Sequence, residues 1–272
     1  MPTQAEKGTR FRALHQRDRA FIIPNPWDVG TARLLQSLGF EAVATTSAGF
    51  AFSIGKPDGA VDRDTMLAHA AALAAAVDLP VSADLENGYG NDPVHVAETI
   101  RLAADAGLAG CSIEDVTPDR DQGPYELALS AERIRAAAEV ARSLPFPFVL
   151  TARAENYIIG RPDLRDTIAR LQAFQEAGAD ALFAPGLKSK EDIAAVVRSV
   201  DRPVNVIMGL QGVQLSLAEL SEIGVKRVSV GSALSRAALG AFLRAAREMQ
   251  MHGTFTFAED AANYADLNKM FA

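Results

Sequence analysis

The sequence holds one cysteine, Cys111, in 272 residues. A single thiol forms no internal disulfide and no multi-cysteine metal site, and it suits a reducing compartment. Basic runs are missing as well. Lys and Arg number 27 against 34 Asp and Glu, a formal net charge of −7, so no nucleic-acid surface is expected. No uninterrupted apolar run approaches the ~18 residues of a membrane span. The first ten residues are polar and carry no apolar h-region, so no signal peptide is expected. The sequence reads as a soluble, acidic, cytoplasmic protein.

What is present is a repeat. Hydrophobic residues make up 49% of the chain, enough for a sizeable core. Short β-type runs occur at 21–24, 41–45, 80–83, 110–113, 148–151, 181–183, 203–207 and 227–230. Helical runs follow them at 31–38, 63–77, 93–106, 131–144, 164–177, 190–200, 217–223 and 233–248. Gly39, Gly107, Gly178 and Gly224 each stand where a helix ends and the chain turns into a strand, a place for left-handed backbone. Eight strand–helix repeats in this length predict a single α/β domain over 1–272, a (β/α)8 TIM barrel with parallel strands. A doubly wound sheet would announce itself by a Gly-rich turn after the first strand, and Pro24-Asn25-Pro26-Trp27 is not one. The stretch 253–272 is too apolar for a free tail, with Phe255, Phe257, Tyr264, Leu267, Met270 and Phe271. It predicts extra C-terminal helices packed on the barrel or on a neighbouring subunit.

Barrel enzymes work at the mouth ringed by the strand C-termini. There the sequence places Trp27, Asp28, Ser47, Ala48, Gly49, Asp84, Glu86, Glu114, Arg153 and Asn205. In a strand, Asp84 and Glu86 share a face. Taken alone, they are two acids on a solvated turn as readily as a site. On a barrel, with Glu114 on the next strand, they suit a hard divalent cation bound by oxygen, such as Mg2+. The fork of Arg153 suits a substrate carboxylate, and a salt bridge to Glu114 or Glu155 equally well.

The motifs Pro24-Asn25-Pro26-Trp27-Asp28, Thr46-Ser47-Ala48-Gly49, Pro57-Asp58, Asp84-x-Glu86-x-Gly88-Tyr89-Gly90, Ile113-Glu114-Asp115 and Thr151-Ala152-Arg153 together resemble the isocitrate lyase / phosphoenolpyruvate mutase superfamily. The resemblance runs in order over about 10–250. It implies a (β/α)8 barrel, a homo-oligomer (a dimer, or a tetramer exchanging C-terminal helices), and cleavage or formation of C–C or P–C bonds beside a 2-oxo acid through an Mg2+-stabilised enolate. By position it implies Asp84, Glu86 and Glu114 in the metal shell, largely through water, with Asp58 in support and Mn2+ able to replace Mg2+. Ser47, Ala48 and Gly49 match the oxo-acid donors, Trp27 and Asp28 the pocket wall, and Arg153 the carboxylate partner. Asn205 also matches a substrate-binding position.

The chain departs from the family pattern after its fourth strand. Where isocitrate-type lyases carry K-x-C-G-H, residues 116–125 hold neither Cys nor His, and the Lys and Asn of the mutases are missing too. Cys111 falls inside a strand and reads as core. His15, His69, His95 and His252 fall on helices or their flanks. Tyr89 is a candidate proton donor. Chemistry with little proton relay then fits best: an Mg2+-dependent lyase or decarboxylase on a small, oxaloacetate-like 2-oxo-dicarboxylate. A phosphonopyruvate-type mutase or hydrolase, and a silent 2-oxo-acid-binding protein, are the alternatives.

Overall fold

A computed structural model describes residues 1–117, 119–210 and 212–272. Eight parallel strands alternate with helices: β1 (Phe21–Ile23), β2 (Val43–Ala44), β3 (Val81–Asp84), β4 (Gly110–Glu114), β5 (Val149–Arg153), β6 (Ala181–Phe183), β7 (Val204–Ile207) and β8 (Arg227–Ser229). Their order is β1-β8-β7-β6-β5-β4-β3-β2. The Ala44 amide donating to Pro24 O (3.0 Å) draws the two ends together. The result is the predicted (β/α)8 barrel.

The helices are α1 (Gln4–His15), α2 (Val29–Ser37), α3 (Ser47–Ser53), α4 (Arg63–Ala76), α5 (Pro93–Asp105), α6 (Leu127–Ser143), α7 (Leu164–Ala177), α8 (Lys190–Arg198), α9 (Leu217–Glu222), α10 (Ala233–His252) and α11 (Tyr264–Phe271). Met66, Leu73, Ile100, Ile134 and Phe174 on these helices are buried in the core with Val81, Cys111, Ile113 and Leu150 of the strands. The four helix-ending glycines have φ of +83°, +83°, +107° and +91°. That is the left-handed region their positions require.

Two helices depart from the sequence reading. The polar N-terminus forms α1, started by a capping box between Thr3 and Glu6 and docked through Phe11 and Leu14, both buried. Lys7 in it is 5% exposed, and its ammonium donates to Ala74 O (2.8 Å) and Val77 O (2.6 Å) at the end of α4. The stretch after β2 is α3 rather than a loop, because Thr46 caps it by accepting from the Gly49 amide. The histidines lie on or beside helices, as expected. Cys111 is fully buried, and burial pushes its thiol well above the ordinary range.

Beyond α10, a 3-10 turn (Thr256–Asp260) and α11 supply the expected extra helices, and α11 reaches back to α2. Much apolar surface stays uncovered here, with Phe242 68%, Phe255 66% and Tyr264 83% exposed. Among the described residues, no helix is long and apolar enough to cross a membrane.

Candidate active site

Parallel neighbours bring strand ends together, and the C-terminal residues of β3, β4 and β5 meet at the mouth. Glu114 is in register with Arg153. The guanidinium of Arg153 is held by three carboxylates: Nη1 by Asp84 at 2.8 Å, Nη2 by Glu114 at 3.3 Å and Nε by Glu155 at 3.0 Å. Its flat face lies 5.2 Å from the centre of the Phe183 ring. Burial alone would weaken its charge, but Glu155, Glu114 and Asp84 more than reverse this and lift its pKa above the ordinary arginine value. Three carboxylates against one guanidinium leave a formal excess of two negative charges.

Ser47 ties a second element to this cluster. Its amide (3.3 Å) and its hydroxyl (3.0 Å) donate to Asp84 Oδ2, and the hydroxyl is also 3.3 Å from Asp58 Oδ1. One hydroxyl proton serves two carboxylates, so acceptors outnumber donors here. Gly49 is buried one turn into α3, where a Cβ would stand 2.5 Å from Thr46 Cγ2 and 3.2 Å from Trp27 Cβ. Only glycine lets α3 sit this close to the half-buried Trp27. Ala48 is half-buried in the same turn.

The turn after β3 is bent sharply. Glu86 and Tyr89 take φ of +47° and +59°, with Gly88 at +80° between them. A left-handed non-glycine residue costs roughly 1–3 kcal/mol, and such strain persists where the surroundings over-determine it. The Tyr89 hydroxyl is buried without a hydrogen-bond partner among the described residues. Burial first, then the nearby charges of Glu86, Asp84 and Glu114, push its pKa above the ordinary tyrosine value. The phenol keeps its proton.

Behind the mouth lies a second layer of polar pairs. Asp115 accepts from the Glu155 amide (2.9 Å) and pairs with Arg170 (3.1 Å). Burial pushes its pKa up to about 6 in spite of those contacts.

One expected residue, Asp28, stands elsewhere, and another, Asn205, lies deeper in the cavity that Asp84 and Arg153 border. Asp28 is exposed and caps α2, accepting from the Thr31 amide at 2.7 Å. The D-x-x-T spacing explains this, since it is a capping pattern. Asn205 is the second residue of β7, not its end, and it faces the barrel interior. Ser232, at the N-cap of α10, makes no side-chain cap. Asn25 serves that turn instead, its Oδ1 accepting from the Val230 and Gly231 amides at 2.9 Å each. Asn25, Ser229 and Arg227 line the cavity beneath the mouth, and the sequence reading passed over all three. Period 2 along β8 was the available signal, because it turns Arg227 and Ser229 to the same face.

Residues 116–117 and 119–125 follow β4, with Val116 bridging Pro124. Pro118 of that loop lies outside the described residues.

The family model for phosphoenolpyruvate phosphomutase matches residues 11–250. The chain belongs to the phosphoenolpyruvate mutase family. This family member is similar in structure to a putative lyase/mutase from Burkholderia cenocepacia J2315, with 64% identity, a TM-score of 0.96, and coverage of 99% of this chain and 96% of that one. It is 32% identical to a probable 2-methylisocitrate lyase 2 from Corynebacterium glutamicum, covering 88% of this chain and 78% of the relative. It is 29% identical to an oxaloacetate decarboxylase from Paraburkholderia xenovorans, covering 82% and 75%. Its relatives are thus lyases and mutases of small acids.

The mutase-family resemblance implies a divalent cation at Asp84, Glu86 and Glu114. Among the described residues, no three His, Cys, Asp or Glu side chains are grouped to ligate one ion directly. The donor set nonetheless fits a hydrated hard cation held through water. It consists of carboxylate oxygens, its negative charge exceeds that of Arg153, and the unpartnered Tyr89 hydroxyl adds a polar atom.

Proposed function

We propose that the protein is an Mg2+-dependent lyase that decarboxylates or cleaves a small, oxaloacetate-like 2-oxo-dicarboxylate. The observation that carries this reading is the group of Asp84, Glu114 and Glu155 around Arg153 at the strand ends. Asp84, Glu86 and Glu114 would hold the cation through water, with Asp58 behind Ser47. When bound, Mg2+ or Mn2+ supplies positive charge that stabilises the negative charge growing on the 2-oxo oxygen as the C–C bond breaks.

The chain's own residues position and protect. Ser47 fixes Asp84 by two hydrogen bonds, so the carboxylate is set before substrate arrives. Arg153, clamped on three sides, orients a substrate carboxylate without moving. At the start of α3 the Ser47 and Gly49 amides are taken by Asp84 and Thr46, so the Ala48 amide is the donor that would meet a substrate oxygen beside Trp27. Tyr89 Oη, buried and protonated, gives its proton to the carbon that loses carbon dioxide, and water entering as the products leave restores the proton to the phenolate. Neither Cys nor His is needed for this, in keeping with the make-up of the loop after β4.

A panel of oxaloacetate, 2-methylisocitrate, 2,3-dimethylmalate and phosphonopyruvate, each with and without Mg2+, tests the reading. Oxaloacetate should be turned over, and EDTA should abolish turnover. Turnover of phosphonopyruvate alone would replace C–C by P–C chemistry. No turnover, with oxalate still raising the melting temperature in Mg2+, would make this a binding protein.

The uncovered apolar faces of α10 and α11 support a homo-oligomer built through the C-terminal helices. Only Ser235 of α10 is buried, and exposed apolar patches of this kind mark interaction surfaces. Sedimentation should show a dimer or tetramer, and a chain ending at residue 252 should sediment as a monomer. A monomeric full-length protein would overturn this assembly.

A further inference from the structure

The interior of a (β/α)8 barrel is ordinarily filled by layers of branched apolar side chains. Here polar side chains share the space beneath the mouth with apolar ones such as Ile23 and Phe183. Thr45, Ser82, Ser112, Asn205 and Ser229 line a cavity of about 90 Å³ that also touches Asp84 and Arg153. This is room for a small carboxylate, far below the size of a typical drug-like site. Arg227, on the first residue of β8, borders the same cavity.

Arg227 is 5% exposed, and each of its hydrogen bonds runs to a neutral group. Nε donates to Asn205 Oδ1 (2.9 Å), Nη1 to His15 Nε2 (3.2 Å) and Nη2 to Thr151 Oγ1 (3.0 Å). His15 is neutral in this role. Burial and then Arg227 push its pKa down to about 3, and its other ring nitrogen lies 2.8 Å from Phe11 O, so Nδ1 carries the proton and Nε2 accepts. Nor does any Asp or Glu among the described residues pair with Arg227. Burial lowers its pKa to about 9, which leaves it charged at neutral pH.

A buried, uncompensated charge is costly, and a counter-charge relieves the cost. Three of the five guanidinium N–H groups are used, which leaves one on each η nitrogen. Two N–H groups are what one carboxylate takes in a bidentate pair. The two arginines of the cavity therefore differ in kind. Arg153 is already outnumbered by carboxylates, whereas Arg227 has none.

We infer that Arg227, with Asn205 and Ser229, forms an anion subsite in the floor of the cavity that takes a carboxylate group of the substrate. The substrate enters carboxylate first, leaving its 2-oxo group at the mouth beside Asp84. This orientation rests on the proposed 2-oxo-acid function, but the subsite can be tested without it.

The test uses the full chain freed of metal by EDTA, with sodium formate as the probe. Ionic strength is held by sodium HEPES, whose anion is too large for the cavity. Formate at tenfold its Kd should raise Tm by about 3 °C or more. The rise should persist in Asp84→Ala, be smaller in Arg227→Lys and be lost in Arg227→Met. No formate shift in wild type overturns the subsite, whether or not the variants fold. An undiminished shift in Arg227→Lys and Arg227→Met also overturns it. A calorimetric arm with Mg2+ and oxalate assigns the source of the anion. Formate should weaken oxalate binding about tenfold if the floor belongs to the substrate site. Oxalate affinity indifferent to formate marks a resident inorganic anion and overturns the assignment to substrate. If oxalate fails to bind at all, the proposed function fails, and the formate shift still decides the subsite.

Discussion

Replacing Asp84 by alanine is expected to abolish Mg2+-dependent oxalate binding and to lower kcat/KM about 10²–10³-fold or more, while the barrel stays folded. The loss is large because Asp84 takes part in each arrangement at the mouth. It holds Arg153 at 2.8 Å and both donors of Ser47, and it stands at the end of the strand that leads into Glu86. Removing one preorganised charge from such a site typically costs about 3–4 kcal/mol of transition-state stabilisation. Folding should be spared, because Arg153 keeps Glu114 and Glu155 and the Asp84 side chain is already partly exposed. Asp84→Asn separates charge from shape. If the carboxylate recruits a cation, Asn should fail as Ala does, even though it can still accept from Ser47. Calorimetric titration of oxalate, with and without Mg2+, reads both variants. Unchanged affinity in Asp84→Ala would remove Asp84 from the site.

The mouth was legible in the sequence for a geometric reason. Parallel strands of similar length place their C-terminal residues side by side, so Asp84, Glu114 and Arg153 had to converge once the eightfold repeat was seen. The helices were legible where periodic apolar residues and a following glycine agreed, as at Leu164–Ala177. What escaped depended on contacts remote in sequence. The helix α1 has too few apolar residues to show a clear face, and its burial rests on tertiary partners such as the one between Lys7 and the end of α4. Asp28 looked like a pocket residue because it follows β1 directly. Its carboxylate instead accepts from the amide and hydroxyl of Thr31 in its own helix, a competition that short acidic side chains often win for the local partner. Arg227 was hidden for the opposite reason. A charged residue opening a strand reads as solvent-exposed, and only the closed barrel turns it inward.

Arg133→Met should be the most damaging substitution outside the mouth, lowering Tm by about 10 °C and weakening Mg2+-dependent oxalate binding more than tenfold. Arg133 lies on α6, is 1% exposed and touches neither Asp84 nor Arg153. Its guanidinium donates to the carbonyls of Asn87, Gly90 (2.6 Å) and Asn91 and stacks 4.2 Å from the centre of the Tyr125 ring. The Tyr125 hydroxyl closes the same loop, accepting from Asn87 Nδ2 (2.9 Å) and donating to Asn91 Oδ1 (2.7 Å). These contacts bracket the left-handed Gly88 and Tyr89 and begin at the residue after the left-handed Glu86, so Arg133 pins the strained turn in place. Methionine fills the volume and leaves three carbonyls without their donor. Each buried unsatisfied group costs roughly 1–3 kcal/mol, and partial entry of water should bring the total to about 3–5 kcal/mol. For a chain of this size each kcal/mol moves Tm by about 2–4 °C. The stability loss alone is what any buried arginine would give. The diagnostic is oxalate affinity measured well below the variant's Tm, where a merely destabilised protein would bind normally. Arg133→Lys should recover part of both quantities, since an ammonium reaches some of the carbonyls but lacks the planar fork. Normal oxalate binding by a folded Arg133→Met protein would show that the turn holds its shape unaided, and that the strain at Glu86 and Tyr89 is borne by Thr99, whose hydroxyl donates to Gly88 O at 2.8 Å.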